Sequence, residues 1–200
     1  MTRGLAVIGA IVLILFLAAS SVGGSYNQLI RLDQVVQSQW AQVENAYQRR
    51  ADLIPNLVET VKGAANFEKS TYTAVAEARA KVGQVNLAGA NAPNDPAAFD
   101  KYAAAQDGLS SALSRLLAVS EAYPALKATQ NFADLQAQLE GTENRISVER
   151  MRFNEAAQAF NTTRDSFPMV VVAGFFGSRF NEKAYFKSQP GAQSPPSVKL

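Results

Sequence analysis

The chain has 200 residues, 48% of them hydrophobic with alanine in excess and aromatics few, and a formal net charge of +2. That length suits one domain with an appendage, and the composition points to close-packed helices. With no Cys and no His, the chain offers no disulfide, no imidazole-activated nucleophile, no zinc site of the usual ligands and no Glu-x-x-His di-iron site, and its charge supplies no basic face for nucleic acid.

Leu5 to Val22 is an uncharged apolar run preceded by Met1-Thr2-Arg3. Its length reaches the lower end of what spans a bilayer as a helix. A cleaved signal peptide competes, because Ala18-Ala19-Ser20-Ser21 offers a cut among small residues, but the run is longer than a typical signal core. The preferred reading is an uncleaved membrane anchor over residues 1–25. Arg3 and the terminal amine before the span, against Arg31 offset by Asp33 after it, place the amino terminus in the cytoplasm and the rest outside.

From Tyr26 to Arg50, Leu29, Leu32, Val36, Trp40, Val43 and Tyr47 recur in steps of three or four, one helical stripe facing a core. Arg49-Arg50-Ala51-Asp52 followed by Leu53-Ile54-Pro55 reads as a stop and a restart. Two cations suit the end of a helix dipole, Asp52 suits a cap, and Pro55 suits a first turn. A helical hairpin at Arg50 to Asp52 is the preferred reading, and one long helix kinked at Pro55 is the alternative.

The second helix is expected from about Leu53 to Val82, with Ile54, Leu57, Val61, Ala65, Tyr72, Val75 and Val82 on its stripe. Gly83 to Asn94 reads as a surface connection. Asp95-Pro96 caps a third helix carrying Phe99, Tyr102, Leu109, Leu113 and Leu116, which ends near Tyr123-Pro124. Asn131 is the expected cap of a fourth helix, in which Phe132, Leu139, Ile146, Phe153, Phe160 and Phe167 recur every seven residues. Such a repeat implies shallow-angle packing of neighbouring helices. The predicted fold is all-α, an anchor followed by an up-down-up-down four-helix bundle over residues 26–168.

Residues 169–186 mix the apolar run Met169 to Phe176 with Arg179, Phe180, Lys183, Tyr185 and Phe186, a composition suited to the bilayer interface, with Phe175, Phe176, Arg179 and Lys183 as candidate lipid contacts. The competing reading has Val170 to Phe176 capping the open bundle end. Residues 187–200, rich in Pro, Gly, Gln and Ser, read as a disordered tail.

Trp40, Val43, then Arg49-Arg50-x-Asp52-Leu53-Ile54-Pro55-Asn56-Leu57-Val58-x-x-Val61-Lys62-Gly63 resembles the signature of the LemA family of bacterial membrane proteins. A second block agrees: Tyr123-Pro124-x-Leu126-Lys127-Ala128, Asn131-Phe132-x-x-Leu135-Gln136, Thr142-Glu143-Asn144-Arg145-Ile146, and Phe153-Asn154, Phe160-Asn161 and Phe167-Pro168. The resemblance runs from about Tyr26 to Phe186 and implies a membrane anchor and a helical bundle. It implies no reaction, since the family brings no catalytic residues to carry over.

Glu68, Arg79, Glu149 and Arg50 interrupt the apolar stripes. One reading makes them a buried carboxylate site; the favoured one has them lying at stripe edges or pairing across helices, because an unpaired buried charge is costly. Thr142-Glu143-Asn144-Arg145 is either a docking face or a solvated one, and the resemblance favours a specific role for Arg145. Candidate structural or docking residues are Trp40, Arg50, Asp52, Pro55, Asn56, Glu143, Asn144 and Arg145. No cofactor, metal or catalytic residue is expected. The expected partners are the bilayer, through the amino-terminal helix, and an envelope protein, with a homo-oligomer as a further option. The leading functional reading is a non-enzymatic envelope scaffold or adaptor; an extracytoplasmic sensor of a small ligand is the alternative.

Overall fold

The computed structural model describes residues 2–64, 67–86 and 89–187. Its helices are α1 (Thr2–Lys62), α2 (Lys69–Asn86), α3 (Pro96–Ser120), α4 (Pro124–Lys127), α5 (Gln130–Asp165) and α6 (Met169–Phe176), with 3₁₀ turns at Gly89–Asn94 and Gly177–Phe180. Among the described residues there is no strand.

The hairpin expected at Arg50 to Asp52 does not form. α1 runs through it, with Pro55 inside. The apolar phase explains this: Val36, Trp40, Val43, Tyr47, Arg50, Ile54, Leu57 and Val61 are all buried and follow one another in alternating steps of four and three, so the segment beyond Arg50 continues the same stripe. Asp52 is exposed and caps nothing; it accepts a hydrogen bond from Gln48 Nε2 at 2.7 Å. The proline removes the hydrogen bond that its nitrogen would give the Ala51 carbonyl. Arg79 Nε of α2 donates to that carbonyl at 3.1 Å. The chain reverses between Lys62 and Lys69, so α2 is shorter than expected and begins later. Ala65, expected on the α2 stripe, lies outside the described residues.

Pairings give the sense of each helix. Trp40, Tyr47 and Arg50 of α1 meet Phe99, Tyr102 and Gln106 of α3 in ascending order, and Phe153, Arg150 and Glu143 of α5 in descending order. Ala51 and Lys62 meet Arg79 and Tyr72 of α2, also descending. Thus α1, α2, α3 and α5 alternate in direction.

At α3 the expected cap is present: Asp95 Oδ1 accepts from the amides of Ala97 at 2.9 Å and Ala98 at 3.2 Å. α5 starts one residue before Asn131, from Thr129, whose hydroxyl makes no cap bond to the helix. The seven-residue series is buried from Phe132 to Phe160 but not at Phe167, which is 85% exposed; Ser166 has already turned extended, at φ −81° and ψ 149°. The predicted surface connection after Gly83 is partly helical and partly core, with α2 reaching Asn86 and Ala92 fully buried.

The described part of the apolar run has no protein around it. Ile8, Ile11, Val12, Leu13, Phe16 and Leu17 are all more than half exposed. Read over the described residues alone, no helix is long and apolar enough to cross a membrane; the side chains of 5–7, 14, 15, 18, 19 and 21, which belong to the run, fall outside that description. The expected tail, from 188 onward, also lies outside the described residues.

Candidate functional site

The centre of the molecule is a buried cation. Arg50 occupies a core position of the α1 stripe and is fully buried. Its guanidinium donates to Glu143 Oε2 at 2.8 Å, Ser110 Oγ at 2.5 Å, Gln106 Oε1 at 2.6 Å and the Gln106 carbonyl at 3.2 Å. Ser110 Oγ in turn donates to Glu143 Oε1 at 2.8 Å, and the Tyr47 ring lies under the guanidinium. One α1 side chain thereby joins α1, α3 and α5. Because the carboxylate is both paired and hydrogen-bonded, the arrangement neutralises a charge rather than leaving a base free to take a proton.

One turn toward the amino-terminal side, Arg150 repeats the pattern more openly. It donates to the Tyr47 hydroxyl at 2.7 Å and Asp107 Oδ1 at 2.6 Å, and its guanidinium carbon lies 4.8 Å from the Phe186 ring centre. Burial pushes the Tyr47 hydroxyl up to about 12, against the opposing pull of Arg150, and burial also raises Tyr102. Beside these groups a cleft of about 810 Å³ is lined by Ser110, Ser114, Glu143, Ser147, Arg150 and Asn154.

Trp40 sits in an aromatic cluster, its ring 5.5 to 6.1 Å from those of Tyr102, Phe153, Phe99 and Phe186. Phe186 arrives on residues 181–187, an extended strap held by side chains that imitate a neighbouring strand. Asn161 exchanges two hydrogen bonds with the backbone of Lys183, at 2.8 and 2.9 Å. Asn154, seven residues earlier, does the same with Phe186, both at 2.9 Å. The sequence reading missed both asparagines as functional; their signal was the repeated Phe-Asn pair, with each Phe in the core and each Asn beside it.

Lys183, expected at the lipid interface, is instead 1% exposed. Its ammonium pairs with Asp33 at 2.6 Å, hydrogen-bonds Asn94 and lies 4.6 Å from the Phe160 ring centre. A buried ammonium needs such a partner, and Asp33 on α1 supplies it. Arg179, Phe175 and Phe176 are exposed.

The remaining candidates spread over the surface. Pro55 and Asn56 are exposed, and Asn56 borders a polar cleft with Glu59, Asn131, Asp134 and Gln138. Asn144 is exposed. Arg145 lies 3.8 Å from the buried Glu149, which Arg152 approaches at 3.3 Å, so two exposed arginines screen one inward carboxylate. Glu68 accepts from Ser70. The four charges that interrupt the stripes therefore do not converge. Among the described residues no three acidic side chains gather as metal ligands would.

The conserved profile of the LemA family matches residues 39–200. The chain belongs to the LemA family. Among curated proteins, this LemA-family chain is similar to the magnetosome proteins MamQ 1 and MamQ 2 of Paramagnetospirillum magneticum and MamQ of Magnetospirillum gryphiswaldense. Each is 24% identical over 185 residues, covering 85% of this chain and 67% of the relative.

Proposed function

We propose that this LemA-family chain is a single-pass protein of the bacterial plasma membrane whose helices form a four-helix bundle outside the cytoplasm, acting as a scaffold or adaptor rather than an enzyme. The observation that carries the reading is α1 itself. It passes without interruption from the Leu5 to Val22 run into the core, and the described apolar side chains of that run are left uncovered by protein. Uncovered apolar helix is unfavourable in water and stable in hydrocarbon. Arg50, Asn154 and Asn161 supply fixed architecture. The relatives are named as magnetosome proteins.

Crosslinking the full-length protein in native membranes tests the role: recurrent capture of one envelope protein supports an adaptor, and capture of copies of itself supports a scaffold. Turnover of a bound small molecule refutes both. A mature chain beginning near Ser20 refutes the anchor.

The cleft beside Glu143 and Arg150 favours a second reading, a small-ligand sensor acting through a membrane partner, since its size and mixture of hydroxyls and charges suit a polar ligand. A ligand that raises the unfolding temperature of the wild type but not of a Ser114→Leu variant supports it.

A further inference from the structure

The membrane-anchored reading leaves one surface without a role. Phe167, Val170, Val171 and Phe175 are exposed by 85, 44, 63 and 85%. The spacing of Val170, Val171, Gly174 and Phe175 places them on one face of α6, and Phe167 is exposed in the turn that leads into it. The opposite face is the one that packs: Val172 and Ala173 are buried. A soluble helix of this kind carries polar residues outward, and here the outward face is the apolar one. Single exposed apolar residues are ordinary, whereas a contiguous stripe marks a surface that something covers.

Its position names the cover. The Phe176 and Phe180 rings lie 4.7 and 5.6 Å from that of Tyr26. Tyr26 is four residues beyond Val22, about 6 Å along a helix. The stripe therefore lies level with the end of the apolar run, on the same rigid unit: α6 packs on α1 and α5, and Arg164 Nε holds the Phe180 carbonyl at 2.6 Å. A bilayer that receives the run up to Val22 meets this face. Arg179, exposed beside it, suits lipid phosphate, and the aromatic rings suit headgroup depth. Lys183, turned inward onto Asp33, takes no part.

We propose that α6 lies on the bilayer that holds α1, its stripe of Phe167, Val170, Val171 and Phe175 entering the headgroup and upper acyl region, so that the protein has two membrane contacts, one crossing and one lateral. The proposal rests on the anchored reading, and the experiment separates the two. Since the chain has no Cys, single cysteines at Leu13, Val171, Phe175 and Asn131 of the full-length protein can each carry a nitroxide after reconstitution into phosphatidylcholine–phosphatidylglycerol vesicles. The ratio of relaxation by oxygen to relaxation by a water-soluble nickel chelate reports depth. The expected order is Leu13 deepest, Val171 and Phe175 shallow but inside the membrane, and Asn131 in water, unchanged when lipid is raised tenfold over protein. A label at Phe175 as aqueous as that at Asn131, with Leu13 still deep, overturns the lateral contact and leaves the anchor standing. Shielding at Phe175 that vanishes on lipid dilution assigns the face to a second copy and also overturns the proposal. A label at Leu13 in water overturns the anchor and the lateral contact together.

Discussion

The core has two halves of different character, divided at Arg50. On the amino-terminal side the buried residues are largely aromatic, with Trp40, Tyr47, Phe99, Tyr102, Phe153, Phe160, Phe180 and Phe186 in one cluster. Beyond Arg50 they are largely aliphatic, with Ile54, Leu57, Val61, Val75, Leu109, Leu113, Leu116 and Leu139 in another. The buried polar groups differ in kind: Lys183 and Asn161 lie in the aromatic half, where the strap is bound, whereas Thr71, Ser120 and Thr142 are small hydroxyls buried where the aliphatic half packs helix against helix. Flat rings and asparagine side chains hold an irregular strap in a fixed place, because both are directional. Interchangeable aliphatic side chains are enough where helix periodicity already sets the contacts.

The strongest test of that division is its boundary. Arg50→Ala leaves the Gln106 acceptor buried and unpaired beside a cavity, and should cost about 3–5 kcal/mol, measured by urea unfolding of the full-length protein in detergent. A double variant, Arg50→Met with Glu143→Leu, should recover much of it; no recovery would mean that packing, not charge, decides the site.

Asn161→Ala probes the aromatic half alone. It should cost about 2 kcal/mol through the lost pair of backbone bonds, and hydrogen exchange at Lys183 should accelerate while the amides of Leu109 to Leu116 stay as slow as before. Equal acceleration in both halves would show a single cooperative core.

Alkali separates the halves by charge. Tyr47 and Tyr102 are held above the ordinary tyrosine value by burial, Tyr47 at about 12. Between about pH 10, where an unfolded tyrosine ionises, and about pH 12 the folded state binds more protons than the unfolded one, so stability falls as pH rises through that window. The unfolding temperature should drop there, and Tyr47→Phe should make the slope shallower.

The smallest effect expected is that of Arg79→Ala in the aliphatic half. Losing the exposed bond to the Ala51 carbonyl should cost about 0.5–1.5 kcal/mol, with nothing changed at the strap.

Much of this was legible in the sequence. The stripes on α1, α3 and α5 and the Asp95 cap follow from spacing alone. The hairpin expected at Arg50 fails because phase outweighs residue type: Arg49-Arg50 resembles a helix end, yet Val36, Val43, Arg50 and Leu57 are seven residues apart, and Tyr47, Ile54 and Val61 continue the companion series. An arginine at a core position is rare enough to look like a boundary, and its partners on α3 and α5 lie 56 to 93 residues away, beyond the reach of any local pattern. Lys183 was misplaced for the same reason, since only the fold brings Asp33 to it. The strap itself has no periodicity to read, because its strand-like partner is two side chains rather than a ladder; its one trace in the sequence is the Phe-Asn pair repeated seven residues apart on α5.

Pro55 carries a consequence of a different kind. A regular helix presents no vacant carbonyl along its middle, so a neighbouring helix sliding past it finds every turn alike. By withholding one amide, Pro55 leaves a single distinguishable notch at Ala51, and Arg79 of α2 is the key that fits it. The defect in one rod thus leaves a mark that the other touches, a small addition to the apolar contacts that hold α2 in place.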